Sequence, residues 1–241
     1  MHVCRFIIFF FLLTVSACDT QGRYTQEEKE YIASNEITWA AESSLYPIIF
    51  LDNKGTIDGI TKDYLELISK KSGLRFKLVS VVQSKQEVVE LLRNEKIDLA
   101  TTLKPSPERV FATFSRPYID SDMVMLKRIS VPKTVGISRG YAVGIFLRNT
   151  RQDLQISEFE TDEIGFRALM NDEIDSVVMN EISAKALLRK YNKKYDGSEI
   201  SYDYLASFAV RKDNTILLHI LDKAITDITR EEQLEILRKW L

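Results

Sequence analysis

Cysteine and histidine are nearly missing from this chain, with two of each in 241 residues. His2 and Cys4 lie in an N-terminal leader, Cys18 stands at its end, and His219 falls in an apolar helical pattern near the C-terminus. The mature domain is therefore left without a disulfide or a thiolate metal site, and a histidine acid–base role is not expected. No cofactor or metal is expected. A surplus of positive charge is missing too: the net charge is −2, and no basic run is interleaved with aromatics, which argues against a nucleic-acid partner. No long hydrophobic run exists either. The apolar stretch 6–15, relieved only by Thr14, is half the length of roughly twenty residues that a spanning helix needs. What remains, 45% hydrophobic and 28% charged, is ordinary globular composition, in a chain long enough to bury a core.

The leader itself is informative. Arg5, a short apolar run and small residues at its end describe an export signal over residues 1–17. The run Val15-Ser16-Ala17-Cys18 resembles a lipobox, in which the cysteine receives a lipid and the chain is cleaved before it. Residues 18–24 would then be a lipidated tether holding the protein on a membrane. Asp19 resembles the residue that retains some lipoproteins on the periplasmic face of the bacterial inner membrane, with outer-membrane or surface anchoring the alternative. Thr25-Gln26-Glu27-Glu28 is a capping box, so a helix starts after a free tether reaching roughly 20 Å.

Downstream the chain alternates. Residues 37–42, 48–51, 76–82 and 97–101 read as strands, and 59–72 and 85–93 as helices, the first closed by Gly73. Such alternation predicts an α/β fold built on mostly parallel sheet. Residues 92–100, ending Lys96-Ile97-Asp98-Leu99-Ala100, are echoed by 169–177, ending Glu173-Ile174-Asp175-Ser176-Val177. Both read as helix end, polar turn, Ile-Asp and a buried strand, which predicts two lobes of related build with turn-stabilising aspartates. No Pro/Gly/Ser-rich linker separates them. The apolar runs 123–126 and 208–210 are the expected crossings, giving a first lobe over 25–126, a second over 127–206 and a return over 207–241. Between two such lobes lies a cleft at the carboxyl ends of the strands.

The sharpest local motif is Lys104-Pro105-Ser106-Pro107-Glu108-Arg109. Ser106 suits an N-cap and Pro107 a first helical position, so the spacing predicts a helix whose N-terminus offers an anion site. Arg109 brings a bidentate fork for a carboxylate and Lys104 a second cation.

The stretches "YPIIFLDNKGTIDGITKDYLELISKKSGLRF", "LLRNEKIDLATTLKPSPER", "FSRPY", "VGISRGYAV", "RALMNDEIDSVVMNE" and "EILRKWL" together resemble the bacterial extracellular solute-binding proteins of family 3, over most of residues 25–241. The resemblance implies a two-lobed Venus flytrap of the periplasmic binding-protein kind, with each lobe a mostly parallel sheet flanked by helices and a ligand cleft at the hinge. It assigns Arg109 to the arginine that clamps a ligand carboxylate. Thr102 and Ser106 fall on the contacting loop, and Tyr46 where an aromatic packs on the ligand. Ser138, Gly140 and Tyr141 fall on the second-lobe loop that closes over it, where Gly140 would allow close backbone approach. One departure stands out. Where amino-acid binders place an aspartate for the ligand ammonium, this chain has Asn180 followed by Glu181, so either Glu181 substitutes or the ligand is not a standard α-amino acid.

The function expected is a monomeric, membrane-anchored binder that captures a small carboxylate-bearing solute by hinge closure for an ABC-type permease. The alternative is a ligand-sensing lipoprotein signalling to a separate membrane kinase or cyclase, because "YTQEEKEYIASNE", "SPER" and "RGYAV" look like the flytrap domains of sensor kinases. An enzyme, dehydratase-like, is the third class. Its candidate carboxylates, Asp120 with Asp122 or Glu42 with Glu181, carry no motif.

Overall fold

In a computed structural model describing residues 22–105 and 109–241, the first helix, α1 (Gln26–Ser34), begins at its capping box. The Glu28 N–H donates to Thr25 Oγ1 at 3.2 Å, and the Thr25 N–H donates to Glu28 Oε2 at 2.7 Å. The leader, Cys18 and Ser106 lie outside the described residues.

After α1 come β1 (Glu36–Glu42), a small antiparallel trio of β2 (Ser44–Leu45), β3 (Ile49–Leu51) and β4 (Ile57–Asp58), and α2 (Ile60–Ser72). Helix α2 buries Ile60, Tyr64, Leu65 and Ile68 at helical spacing and stops at Gly73, whose φ of 81° is the left-handed cap that glycine adopts without strain. Its start needs glycine for a different reason. A Cβ at Gly59, which has a φ of 123°, would sit 2.7 Å from the carbonyl oxygens of Pro47 and Ile48. Next follow β5 (Arg75–Val82), α3 (Lys85–Arg93) and β6 (Leu99–Leu103).

The helix predicted from Ser106 does not extend into the described residues that follow. The Arg109 carbonyl instead closes a turn onto the Ala112 N–H at 3.1 Å, and β7 (Ala112–Lys127) begins there. The aromatic and β-branched sequence after Arg109 pairs with β11 (Asp196–Arg211), Thr113 opposite Val210 and Phe114 opposite Ala209. This long-range ladder outweighs a local cap signal. Between β7 and β11 lie β8 (Thr134–Ser138), α4 (Ala142–Thr150), β9 (Gln155–Phe159), α5 (Asp162–Met170), β10 (Ser176–Asn180) and α6 (Glu181–Lys190). Two helices, α7 (Thr215–Thr226) and α8 (Arg230–Trp240), finish the chain and pack against α2.

One sheet of eight strands runs through the molecule in the order β5-β1-β6-β11-β7-β10-β8-β9. Strand β1 is parallel to both β5 and β6, and β8 is parallel to both β9 and β10. Between these parallel ends, β7 and β11 are antiparallel, each 16 residues long. Their register shifts at three places, and at the slip between Ile200 and Asp203 the residues Ser201 and Tyr202 have no partner. Beyond the slip, Met123 pairs with Ile200 and also with Asn180, and Val124 and Leu126 pack with Phe166, Val177 and Leu187. Before it, Phe208 stacks on Tyr118 at 4.3 Å within the other core. Val124 and Leu126 therefore face the core built around α5 and α6, while Met123 and Met125 join the larger cluster that also holds Phe208 and Val210. The paired segments between them bridge the two ends.

The internal repeat has a structural counterpart. Asp98 accepts from Thr38 N–H at 3.0 Å and Thr38 Oγ1 at 2.6 Å, while the Asp98 N–H donates back to Thr38 Oγ1 at 3.1 Å. Asp175 accepts from Thr134 N–H and Lys133 N–H, both at 3.0 Å, and its own N–H donates to Thr134 Oγ1 at 2.8 Å. These backbone donors hold the Asp175 carboxyl below its ordinary range. Each aspartate also meets an arginine, Asp98 with Arg211 at 3.3 Å and Asp175 with Arg128 at 3.1 Å. Glu95 and Asp172, three residues upstream in each copy, both have positive φ, 56° and 61°. Each copy thus ties the start of a buried strand to the start of the parallel strand beside it.

Candidate ligand-binding cleft

The carboxyl end of β6, the starts of α3 and α4 and the bridging strands converge on a cavity of about 80 Å³. From the first end it is lined by Lys85, Thr102, Lys104 and Arg109, and from the second by Gly140, Tyr141 and Val143. Met123 and residues 202–205 of the bridging strands close it. Of the residues singled out from sequence, Thr102, Lys104, Arg109, Gly140 and Tyr141 therefore meet in one place.

Thr102 is 3% exposed and has a φ of 56°, strained for a β-branched side chain. Its carbonyl accepts from Lys85 Nζ at 3.2 Å, and Lys85 lies 5.8 Å from the Tyr141 ring centre. Arg109 Nη1 donates to the Lys104 carbonyl, and both cations border the cavity. Lys104 Nζ sits 4.7 Å from the ring centre of Tyr202, a residue left unpaired at the register slip. Three cations and three tyrosines thus share a small space.

Behind Tyr141 lies a buried polar network. Asp162, 2% exposed, accepts from Ser138 Oγ and from Tyr141 Oη at 3.0 Å. Burial pushes the Asp162 carboxyl above its ordinary range, although the Ser138 and Tyr141 hydroxyls pull the other way. The Tyr141 hydroxyl is pushed well up, first by burial and then by the Asp162 charge beside it. Gly140 has a φ of 81°, yet a Cβ there would meet nothing within 4 Å. Glycine therefore serves the left-handed turn before α4 and leaves open space beside it.

Asn180, Glu181 and Tyr46 do not line this cavity. Asn180 is fully buried as the N-cap of α6: its Oδ1 accepts from Ser183 N–H at 2.8 Å and its Nδ2 donates to Ser183 Oγ at 2.9 Å. Glu181 pairs one turn along with Lys185 at 2.8 Å. Tyr46 borders a neighbouring crevice with Phe50, Glu163 and Lys190. Its carbonyl accepts from Ser183 Oγ at 3.0 Å, and Lys190 Nζ lies 4.8 Å from its ring centre, so Tyr46 joins the two ends of the molecule. Sequence reasoning missed Lys85, Met123, Tyr202, Tyr204 and Asp162. Asp162 follows the N-cap Thr161 and looks in sequence like a solvated first-turn acid.

Among the described residues, no helix is long and apolar enough to cross a membrane, and no group of histidine, cysteine and carboxylate side chains is placed to hold a metal ion.

Comparison with known proteins places this architecture. The BvgS periplasmic VFT2 domain of Bordetella pertussis superimposes with a TM-score of 0.80 at 22% identity, covering 90% of this chain and 99% of that one. An ancestral arginine-binding protein bound to arginine superimposes with a TM-score of 0.71 at 22% identity, covering 86% and 98%. The fold is thus a two-lobed Venus flytrap, with the cavity in the cleft at its hinge. In sequence the chain is 24% identical over 232 residues to the virulence sensor protein BvgS of Bordetella pertussis, covering 90% of this chain and 19% of that protein. It is 20% identical over 222 residues to a putative sensor protein of Shewanella frigidimarina, covering 87% and 33%. The chain therefore spans at most a third of the length of these relatives. The profile of the bacterial extracellular solute-binding proteins, family 3, matches residues 37–241, and the chain belongs to that family.

Proposed function

We propose that this protein captures a small carboxylate-bearing solute in the hinge cleft and that closure of the lobes on it is read at a membrane. The observation that carries this is the meeting of Thr102, Lys104, Arg109 and Tyr141, contributed by both lobes, around one small cavity. Arg109 supplies the planar fork for a carboxylate and Lys104 a second positive charge, while the strained Thr102 loop holds them. At about 80 Å³ the cavity lies far below the several hundred Å³ of drug-sized sites, which favours a compact solute. A thermal-shift screen of amino acids, organic acids and peptidoglycan fragments tests the reading. A true ligand raises Tm by mass action, and a screen in which no carboxylate does so contradicts it.

Two partners fit closure. The sensor relatives favour signalling to a separate membrane kinase or cyclase, and the family's solute-binding members favour delivery to an ABC-type permease. Deleting the gene separates them: loss of a ligand-dependent transcriptional response supports sensing, and loss of ligand uptake supports transport. In this reading Cys18 carries the lipid that holds the domain on the periplasmic face of the inner membrane, with Asp19 retaining it there. Metabolic labelling with a palmitate analogue, lost in Cys18→Ser, is the expected result. The cleft works by binding and not by turnover, since Asp120 and Asp122 are exposed and Glu181 is paired on α6.

A further inference from the structure

The lining of the cleft is out of electrical balance. Lys85, Lys104 and Arg109 border the cavity, and Asp203 is the one acid among the described residues that does so. Asp203 is exposed, and its contact with Lys104 is through its backbone carbonyl, 3.5 Å from Nζ. Lys85 Nζ likewise rests on a carbonyl, that of Thr102, at 3.2 Å. Beyond these oxygens the two ammonium groups meet tyrosine faces, Lys85 that of Tyr141 and Lys104 that of Tyr202, and neither forms an ion pair among the described residues. An ammonium has three hydrogens to donate, so one carbonyl leaves each lysine unsaturated. Lys85 is also set against its own helix: it opens α3, where the positive end of the helix dipole disfavours a cation. One more donor stands in the same wall. Tyr204, 8% exposed, lines the cavity, yet its hydroxyl has no partner among the described residues. A buried hydroxyl left so is costly unless something else meets it. Asn180 adds no negative charge, and Asp162 lies behind Tyr141, taken up by the Ser138 and Tyr141 hydroxyls.

We propose that the solute is a compact dianion, with one carboxylate on the Arg109 fork and, a short carbon chain away, a second anionic oxygen group received by Lys85, Lys104 and the Tyr204 hydroxyl. The inference rests on the carboxylate reading above. A single carboxylate on Arg109 leaves both lysines without a counter-charge in a half-buried site, where salt screens them less than on an open surface. A second negative group gives them one, and its oxygens accept from the donors that the protein leaves free. The small cavity keeps the two groups close together, so a long-chain diacid is not the expected solute.

Titration calorimetry of the full chain with malonate, succinate and phosphonoacetate tests it, with propionate and butyrate as singly charged counterparts and alanine as the amino-acid control. At least one dianion is expected to bind about tenfold or more tightly than either monoacid. Its affinity is also expected to fall more steeply than theirs as salt is raised. Tighter binding of malonate or succinate assigns the second group as a carboxylate, and tighter binding of phosphonoacetate assigns it as a phosphoryl-type group. Lys85→Gln and Lys104→Gln are each expected to cut the ratio of dianion to monoacid affinity severalfold, and Tyr204→Phe, which deletes only the hydroxyl, to cut it less. If the monoacids bind as tightly as the dianions, or alanine binds best, the inference fails while the carboxylate reading stands. If both lysine variants leave the ratio unchanged, the inference also fails. If none of these compounds binds, the inference falls, and the carboxylate reading then depends on the wider screen alone.

Discussion

Asn180, which the sequence resemblance assigns to ligand reading, is in the structure the N-cap of α6. Its amide satisfies the first turn of α6 and reaches Tyr141 Oη at 3.4 Å, so it supports the start of α4 from behind. Asn180→Ala is expected to lower stability by about 1 kcal/mol, the usual cost of a lost N-cap, measured by urea denaturation. Asp162 has more at stake. Asp162→Ala leaves the Ser138 and Tyr141 hydroxyls without their acceptor and is expected to cost about 2 kcal/mol. A variant as stable as the parent would mean that the network has other acceptors. The cationic side of the cavity was legible in the sequence because Thr102, Lys104 and Arg109 sit within eight residues of one another. The acid side was not. Asp162 meets Ser138 and Tyr141 across more than twenty residues of chain, and Tyr204 reaches the cleft from the middle of β11.

At the scale of elements, short-range signals survived folding and the long ladder overrode one of them. The Thr25 box, α3 and the Gly73 cap are where local chemistry puts them, since each is satisfied within a few residues. The signal at Ser106 predicted a helix that does not reach Arg109, because β7 gains far more from pairing with β11 than a turn of helix offers. The repeat was legible as sequence, but its Asp–Thr clasps join residues 60 and 41 apart. A third tie fixes α1 to α7: Lys223 Nζ donates to both Glu28 oxygens, at 2.7 and 2.6 Å. Burial raises the Glu28 carboxyl, but the Lys223 bond and the Thr25 N–H outweigh it and hold the group below its ordinary value of 4.5. A carboxyl lowered in the folded state contributes stability above the unfolded value, and that contribution is lost as pH falls through the folded one. Glu28→Gln is therefore expected to be less stable than the parent at neutral pH, with the gap closing below about pH 4 in acid-titrated melts.

For the whole molecule the question is what holds the lobes together. Ser183 Oγ to the Tyr46 carbonyl, Lys190 over the Tyr46 ring and Lys85 beside Tyr141 all cross between them. These polar ties add to the largest apolar cluster, which itself joins Ile37 and Phe208 with Val135 and Val178. Ser183→Ala is expected to shift the unliganded protein toward an open form, seen as a larger radius of gyration in small-angle X-ray scattering. Apparent affinity should fall by the same factor as the closed population, since only that population presents both walls to the solute. The carboxylate fork of Arg109 is the group on which the proposed capture depends most. Calorimetry of Arg109→Ala against the solute that most raises Tm is its sharpest test. Loss of measurable binding with an unchanged circular dichroism spectrum is the result predicted, and an unchanged Kd would contradict it.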